Sequence, residues 1–356
     1  MSEAERPVVS DVERPLAVVT GGSGYFGSRL VERLLARGLR CRVFDINDPD
    51  DRAPGVEFHR GDVRDYDAVL RASAGADVVF NNVAQVPLAK DRELFQSVNV
   101  LGTEHVLRAA KAAGVRKVVH TSSSAVYGAP GSLPVTEATP LAPGEAYGRA
   151  KADAETLCLR FANDGLDVSI VRPRTILGHG RLGIFHILFQ WISEGANVPV
   201  LGRGDNRYQF IHADDLADAC ALAAERAGST SYNIGTDRFG TMRELLEGLA
   251  AHAGTGSKVR GVPMGPAVAA MQVTSALGLS PLGPYHALMY GRSMYFDLSK
   301  AATELGWTPR FSNAEMIADS YDWFLAHREE AATASGLSSH RSPVREGVLS
   351  LVRRLL

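Results

Sequence analysis

Short apolar runs separated by amphipathic stretches recur through the first half of the chain. Leu16-Ala-Val-Val-Thr20 is apolar and β-rich, as a strand covered on both faces must be. Behind it the period changes. Leu30, Leu34 and Leu35 fall on one side of a helical repeat, with Arg29, Glu32 and Arg33 on the others, which predicts a helix over about 25–37. The same exchange continues, with strands predicted near 16–20, 40–45, 56–59, 77–81, 116–121 and 168–172 and helices near 25–37, 65–73, 91–113 and 147–163. Strand and helix alternating at this interval imply parallel βαβ units in an α/β fold with a doubly wound sheet. Ligands of such sheets bind beyond the carboxyl ends of the strands.

The turn between the first strand and helix reads Thr20-Gly-Gly-Ser-Gly-Tyr-Phe-Gly27. There Gly21 and Gly24 let the backbone approach a pyrophosphate, Gly27 lets helix and strand pack closely, and the helix N–H groups attract anionic oxygens. Tyr25 and Phe26 belong to the same turn and are expected beside the nucleotide. The second strand, Arg40-Cys-Arg-Val-Phe-Asp45, ends in an acid where a carboxylate can accept from both ribose hydroxyls. Ile46, Asn47 and Asp48 supply no arginine for a 2′-phosphate. NAD is therefore the expected cofactor, in preference to NADP.

Downstream, Tyr147-Gly-Arg-Ala-Lys151 sets a phenol and an ammonium four residues apart, on one face of a helix. A free tyrosine titrates near 10, too high for a base at neutral pH. A neighbouring ammonium, together with a positive nicotinamide ring, should favour the phenolate and bring its proton affinity toward the working range.

With these two motifs on one chain, residues 15 to 327 resemble the extended short-chain dehydrogenase/reductases, a family that includes nucleotide-sugar epimerases, dehydratases and 3β-hydroxysteroid dehydrogenases. Further blocks carry the resemblance: Gly61-Asp62-Val63, Asn81-Asn-Val-Ala-Gln85, Asn99-Val-Leu-Gly-Thr103, Tyr232-Asn-Ile-Gly235, Asp297-Leu-Ser-Lys-Ala301 and Leu305-Gly-Trp-Thr-Pro309. It implies that Asp62 and Val63 bracket the adenine, that Val83, Ala84 and Asn99 stand beside the cofactor, and that Gln85 contacts substrate. It also implies that Tyr147 is the catalytic acid–base and that Lys151 holds the nicotinamide ribose. The family's substrate-binding hydroxyl lies four residues before the tyrosine of its next block, here Tyr127, which selects Ser123; Ser124 is the second candidate and an expected substrate contact. Dehydratases of the family carry an Asp-Glu pair where this chain has Ser124 and Ala125, and decarboxylases usually carry a glutamate at the latter position. Carbinol oxidation and 4-epimerisation remain, since both need only Ser123, Tyr147, Lys151 and NAD.

The substrate half reads two ways. Gly202-Arg-Gly-Asp-Asn-Arg-Tyr-Gln-Phe-Ile-His-Ala-Asp-Asp215 resembles the block in which sugar-nucleotide enzymes grip the diphosphate, and Arg207 matches the gripping arginine; a guanidinium suits phosphate because its fork donates two bonds. Thr175, however, replaces the asparagine that commonly contacts the substrate phosphates, and Arg172-Pro173 looks more like the sterol dehydrogenase branch. From Gly261 to Gly291 there is no Asp, Glu, Lys or Arg. Pro263, Pro266, Pro281 and Pro284 make a spanning helix improbable; a core helix over 267–278 is the plainer reading, an apolar lid or membrane-leaning hairpin the other. Met264, Met271, Met289 and Met294 would supply an adaptable apolar wall. The expected function is C4 epimerisation of a nucleotide sugar, with 3β-hydroxysteroid-dehydrogenase-like chemistry on an apolar alcohol as the alternative and a noncatalytic NAD-binding scaffold as a third.

Length and charge agree with this picture. The 356 residues, 45% of them hydrophobic, suffice for a Rossmann-type nucleotide-binding domain and a smaller C-terminal substrate lobe. The expected division is a flexible N-terminus over 1–14, an NAD-binding domain over 15–172, a substrate lobe with returning Rossmann segments over 173–327, and a linker with a basic amphipathic tail over 328–356. A net charge of −2 carries no footprint for nucleic acid. Cys41, Cys158 and Cys220 show neither metal nor disulfide spacing, and no secretory pattern opens the chain, so a cytoplasmic enzyme without metal is expected. A homodimer is expected, and the tail would dock on protein or touch an anionic membrane surface weakly.

Overall fold

The computed structural model describes residues 14–49, 52–86, 91–277, 279, 289–329 and 347–355. Most of the N-terminal segment expected over 1–14, the bulk of the linker, and Pro281 and Pro284 of the uncharged stretch lie outside the described residues.

Strands β1 (Leu16–Thr20), β2 (Arg40–Asp45), β3 (Glu57–Arg60), β4 (Val78–Asn81), β5 (Lys117–Thr121), β6 (Val168–Pro173) and β10 (Thr230–Ile234) form one parallel sheet in the order β10-β6-β5-β4-β1-β2-β3. All five residues of β1 are buried, because helices cover both faces. Register brings the polar strand ends to one edge: Thr20 lies opposite Phe44 and Asn81, and Thr121 opposite Val171.

Helix α1 (Tyr25–Ala36) starts directly behind the glycine turn. A Cβ on Gly27 would sit 2.0 Å from the Gly21 carbonyl oxygen, so only glycine lets this helix approach the strand. Helix α7 (Ala213–Glu225), returning from the second half of the chain, is bound to α1 by Arg29 to Asp214 at 2.9 Å and Arg33 to Asp218 at 2.5 Å. The helical stretch Arg92–Ala112 opens in α3 (Arg92–Leu94), passes through a π-helical segment Phe95–Leu101, and ends in α4 (Gly102–Ala112). Such segments are frequent at functional sites.

The smaller lobe packs Leu177, Phe185, Phe189, Val200, Phe210 and Phe324 into its own core, between helix α6 (Ile184–Ser193), α8 (Met242–Ala253), the helix Asn313–Ala326, and the two-stranded pairs of β7 (Thr175–Leu177) with β9 (Phe210–His212) and β8 (Val198–Leu201) with β11 (Val259–Val262).

The core helix expected at 267–278 is not what forms. Helix α9 (Met264–Ala276) exists, yet Met264, Val273 and, just beyond it, Leu277 are exposed. Its small and apolar residues encircle the helix without gathering into a stripe, so no face is selected for burial. Met289 and Met294 are buried in a separate cluster with Val126, Tyr127, Val135 and Phe296. The tail helix Leu349–Leu355 touches the chain's own surface, with Val348 N–H donating to the Leu279 carbonyl at 3.1 Å and Arg353 pairing with Glu194 at 2.5 Å. No helix among the described residues is long and apolar enough to cross a membrane.

Candidate active site

A cavity of about 490 Å³ opens along the carboxyl edge of the sheet. At the β1–β3 side it is lined by Gly21, Gly24, Tyr25, Phe26, Gly27, Asp45, Asp62 and Val63; over β4 by Val83, Ala84 and Gln85; and at the β5–β6 side by Ser123, Ser124, Tyr147, Lys151 and Thr175. Residues predicted from motifs more than a hundred positions apart thus share one wall.

Helix α5 (Ala146–Asn163) presents Tyr147 in its first turn, and Glu145 fixes where that helix begins. The Glu145 carboxylate accepts from Tyr147 N–H at 2.7 Å and Gly148 N–H at 2.6 Å, satisfying donors the helix cannot pair internally. A Cβ on Gly148 would lie 2.6 Å from the Ala125 carbonyl oxygen; glycine is what lets the helix press against the turn that carries the serines.

The three serines face three ways. Ser122, also in the cavity lining, donates to Glu155 at 2.5 Å. Ser124 accepts from Arg174 Nη1 at 2.8 Å. Ser123 hydrogen-bonds to the Tyr147 hydroxyl. Position and partner therefore single out Ser123 as the hydroxyl beside the phenol.

Electrostatics depart from the expectation for Tyr147. Burial pushes its phenol up to about 12, and Lys151, pulled down to about 8 by its own burial, donates to the Thr121 carbonyl at 2.8 Å. Desolvation disfavours both charged forms in this pocket, so the one-turn spacing does not by itself yield a phenolate.

The opposite side suits a dinucleotide. Gly21 has φ +68°, and a Cβ there would be 2.9 Å from Val83 Cα. The Asp45 carboxylate is oriented by Ser23 N–H at 3.1 Å and Asn47 N–H at 3.0 Å, and burial holds its pKa up. Those backbone donors aim an acceptor at the position a ribose diol requires.

Two predicted residues lie outside the cavity lining. Asn99 is buried behind it, its amide accepting from Gln85 N–H at 2.8 Å and donating to the Gln85 carbonyl at 3.0 Å; it fixes the loop after β4. Arg207 is exposed, with its guanidinium 4.9 Å from the Phe239 ring centre and 4.7 Å from that of Tyr295, stacking that holds it on the lobe surface. The cavity instead contains, besides Arg64 at the Asp62 side, two buried arginines the motifs did not single out, Arg174 and Arg181, 1% and 8% exposed. The available signal was Arg174's position directly after β6, at the ligand-binding edge; Arg181 follows β7 and carried none. The methionine wall is also absent from the lining among the described residues.

His179, His212 and Asp319 bring ligand atoms within 4.8 Å of one another. Arg29 Nη2 lies 3.0 Å from His179 Nε2, and His179 Nδ1 is 2.7 Å from Asp319, which makes the group a hydrogen-bonded network anchored on Arg29.

A family model for the NAD dependent epimerase/dehydratase family matches residues 17–235. The protein y4nG of Sinorhizobium fredii is 53% identical over 337 residues, covering 94% of this chain and 85% of that one. A UDP-glucose 4-epimerase of Mycolicibacterium smegmatis is 30% identical over 331 residues, covering 86% and 97%. Among solved structures, the Thermus thermophilus UDP-glucose 4-epimerase in complex with NAD aligns with a TM-score of 0.71 at 29% identity, over 87% of this chain and 99% of that one.

Proposed function

Because the chain belongs to the NAD dependent epimerase/dehydratase family, as an NAD-dependent enzyme of the extended short-chain dehydrogenase/reductase type, we propose that it epimerises a nucleotide sugar at C4 through a 4-keto intermediate. The observation that carries this reading is the Ser123–Tyr147 pair in the cavity that also holds the glycine turn, with Ser124 and Ala125 following Ser123 and no carboxylate at either position. Dehydration or decarboxylation would need a further acid or base there.

Tyr147 takes the proton of the sugar C4 hydroxyl as the C4–H bond breaks and the carbonyl forms. Ser123 holds the same oxygen and keeps it in line with the phenol. Lys151 would hold the nicotinamide ribose, and the cofactor's charge beside Tyr147 would favour the phenolate that burial disfavours. NAD held along the glycine turn would supply the acceptor for the C4 hydride and the source of its return to the other face of the ketone. Tyr147 then gives its proton back, so the cycle is neutral in protons and electrons.

The apolar-alcohol reading is favoured by Arg172-Pro173 and by the exposed, uncharged α9. It is opposed by two buried guanidiniums, and by the absence of the described methionines, in the cavity lining. Purified protein incubated with UDP-sugars should interconvert C4 epimers without net NADH. Steady NADH release with a sterol-like alcohol would replace this reading, and inactivity on both panels would favour a scaffold.

The same proposal includes a homodimer and a reducing, cytoplasmic setting. Leu101 and Leu159 are exposed on α4's leading edge and on α5, two helices that pack together, and the three cysteines are free and buried. The Arg353–Glu194 pair supports a tail docked on the enzyme itself in preference to a membrane surface; release of the chain by salt-free fractionation into the membrane pellet would reverse that preference.

A further inference from the structure

Arg174 is a side chain that the proposed chemistry leaves unexplained. It is 1% exposed and lines the cavity beside Ser124, the neighbour of Ser123. Its Nη1 donates to Ser124 Oγ at 2.8 Å, whereas Nε and Nη2 have no hydrogen-bond partner. These two nitrogens form one edge of the guanidinium, the edge that donates two parallel bonds to a carboxylate. The plane is held by the Tyr208 ring, 4.6 Å from the guanidinium carbon, and by Phe296 at 5.7 Å. No carboxylate among the described residues pairs with it, and the acids lining the cavity, Asp45 and Asp62, stand at the glycine-turn side. Arg181 repeats the pattern nearby: it is 8% exposed, with Nη1 unpartnered and burial lowering its pKa to about 10.

Buried charges in folded chains are normally paired and costly when they are not, so a buried guanidinium edge without a partner at a cavity wall points to an anion as its partner. The position selects which anion. Arg174 bonds to Ser124, which adjoins Ser123 in the chain, and both line the cavity with Tyr147, so the unpaired edge belongs to the Ser123–Tyr147 end of the site.

We propose that the substrate carries a carboxylate on the carbon next to its reacting one, and that Arg174 binds it: the sugar is a hexuronic acid, whose C6 carboxylate is borne on C5, the neighbour of C4. This rests on the nucleotide-sugar reading and narrows it.

The test uses the NAD-loaded wild-type protein and two commercial probes, UDP-glucuronic acid and UDP-glucose, titrated by calorimetry and followed for C4 inversion. The acid should bind roughly ten- to a hundredfold more tightly, the range of a charge-assisted bidentate contact, and should be the sugar that is inverted. Arg174→Gln should bring the ratio of the two kcat/KM values toward one, and Arg174→Lys, which keeps the charge and loses the fork, should restore part of the preference. Equal affinities for the two sugars in the wild type would overturn the inference and leave the epimerase reading standing. Equal loss on both sugars in Arg174→Gln would assign the arginine to the diphosphate and also overturn it. Binding of neither sugar would remove the nucleotide-sugar reading itself, and this inference with it.

Discussion

Among the proposed catalytic residues, burial works against charge. Tyr147 sits at about 12 and Lys151 at about 8 because both are desolvated, so the phenolate has to be favoured by what binds beside it. Tyr147→Phe should reduce turnover by about 10²–10⁴-fold, the usual share of a positioned acid–base group, while NAD affinity by fluorescence stays near wild type; wild-type turnover in that variant would remove the assigned chemistry. Lys151 has a second consequence. A lysine that holds its proton to 10.5 when unfolded and only to about 8 when folded burdens the fold fully below pH 8, and the burden lifts as pH climbs from 8 to 10.5. The shift corresponds to at most about 3 kcal/mol, against about 1 kcal/mol for the lost bond to Thr121. Lys151→Met should therefore raise the melting temperature of the nucleotide-free protein at pH 7, with the gain fading toward pH 10. A lower melting temperature at pH 7, or a pH-independent difference, would show that the ammonium is better solvated than its 3% exposure implies.

Elements are joined here by polar clamps the motifs did not reveal. Glu155 on α5 grips Arg172 of β6 with bonds of 2.9 and 2.6 Å and receives Ser122; Arg172 in turn donates to Tyr127 at 2.7 Å, and Tyr127 to Asn233 of β10 at 2.8 Å. The Arg-Pro dipeptide that resembled a sterol-enzyme signature is thus part of a structural clamp, with Arg172 beneath the cavity and Arg174 inside it. Removing one partner of a buried pair leaves an uncompensated charge, whereas replacing both by apolar groups is often tolerated. Glu155→Leu should cost about 3–5 kcal/mol in urea unfolding, and adding Arg172→Met should recover part of that loss. A double variant less stable than the single one would mean that the Tyr127–Asn233 arm, rather than the ion pair, holds α5 to the sheet. Element boundaries themselves were legible: the strand expected over 40–45 is β2, and the helix expected over 147–163 is α5 less one residue. Strand and helix periods are local properties of the chain. The clamp is not, because it joins residues as distant in the chain as Tyr127 and Asn233, 106 positions apart.

At the scale of the whole molecule, the Rossmann sheet and the meeting of the glycine turn, Tyr147, Lys151, Gln85, Ser124 and Thr175 at one cavity could be read from the sequence, and the places of Arg207 and α9 could not. Arg207 matched a motif yet stacks on the lobe surface, and α9, expected in the core, lies on the outside, since both outcomes depend on how the second half of the chain folds back over the first. The same folding leaves Leu101 and Leu159 exposed at 41% and 57% on neighbouring helices, with Arg160 and Glu104 paired across them at 3.0 Å. A twofold interface through these helices would be isologous, so each leucine would be buried twice, and each burial is worth about 1.5–3 kcal/mol. Leu159→Arg would remove two such contacts and set like charges near the axis. The dissociation constant should then rise by at least about a hundredfold, since roughly 3 kcal/mol corresponds to two decades. Light scattering across a micromolar dilution series reads this directly. A wild-type chain that is monomeric throughout the series would refute the dimer, and a Leu159→Arg variant that stays dimeric would move the interface to another face, for which the exposed apolar surface of α9 is the next site to substitute.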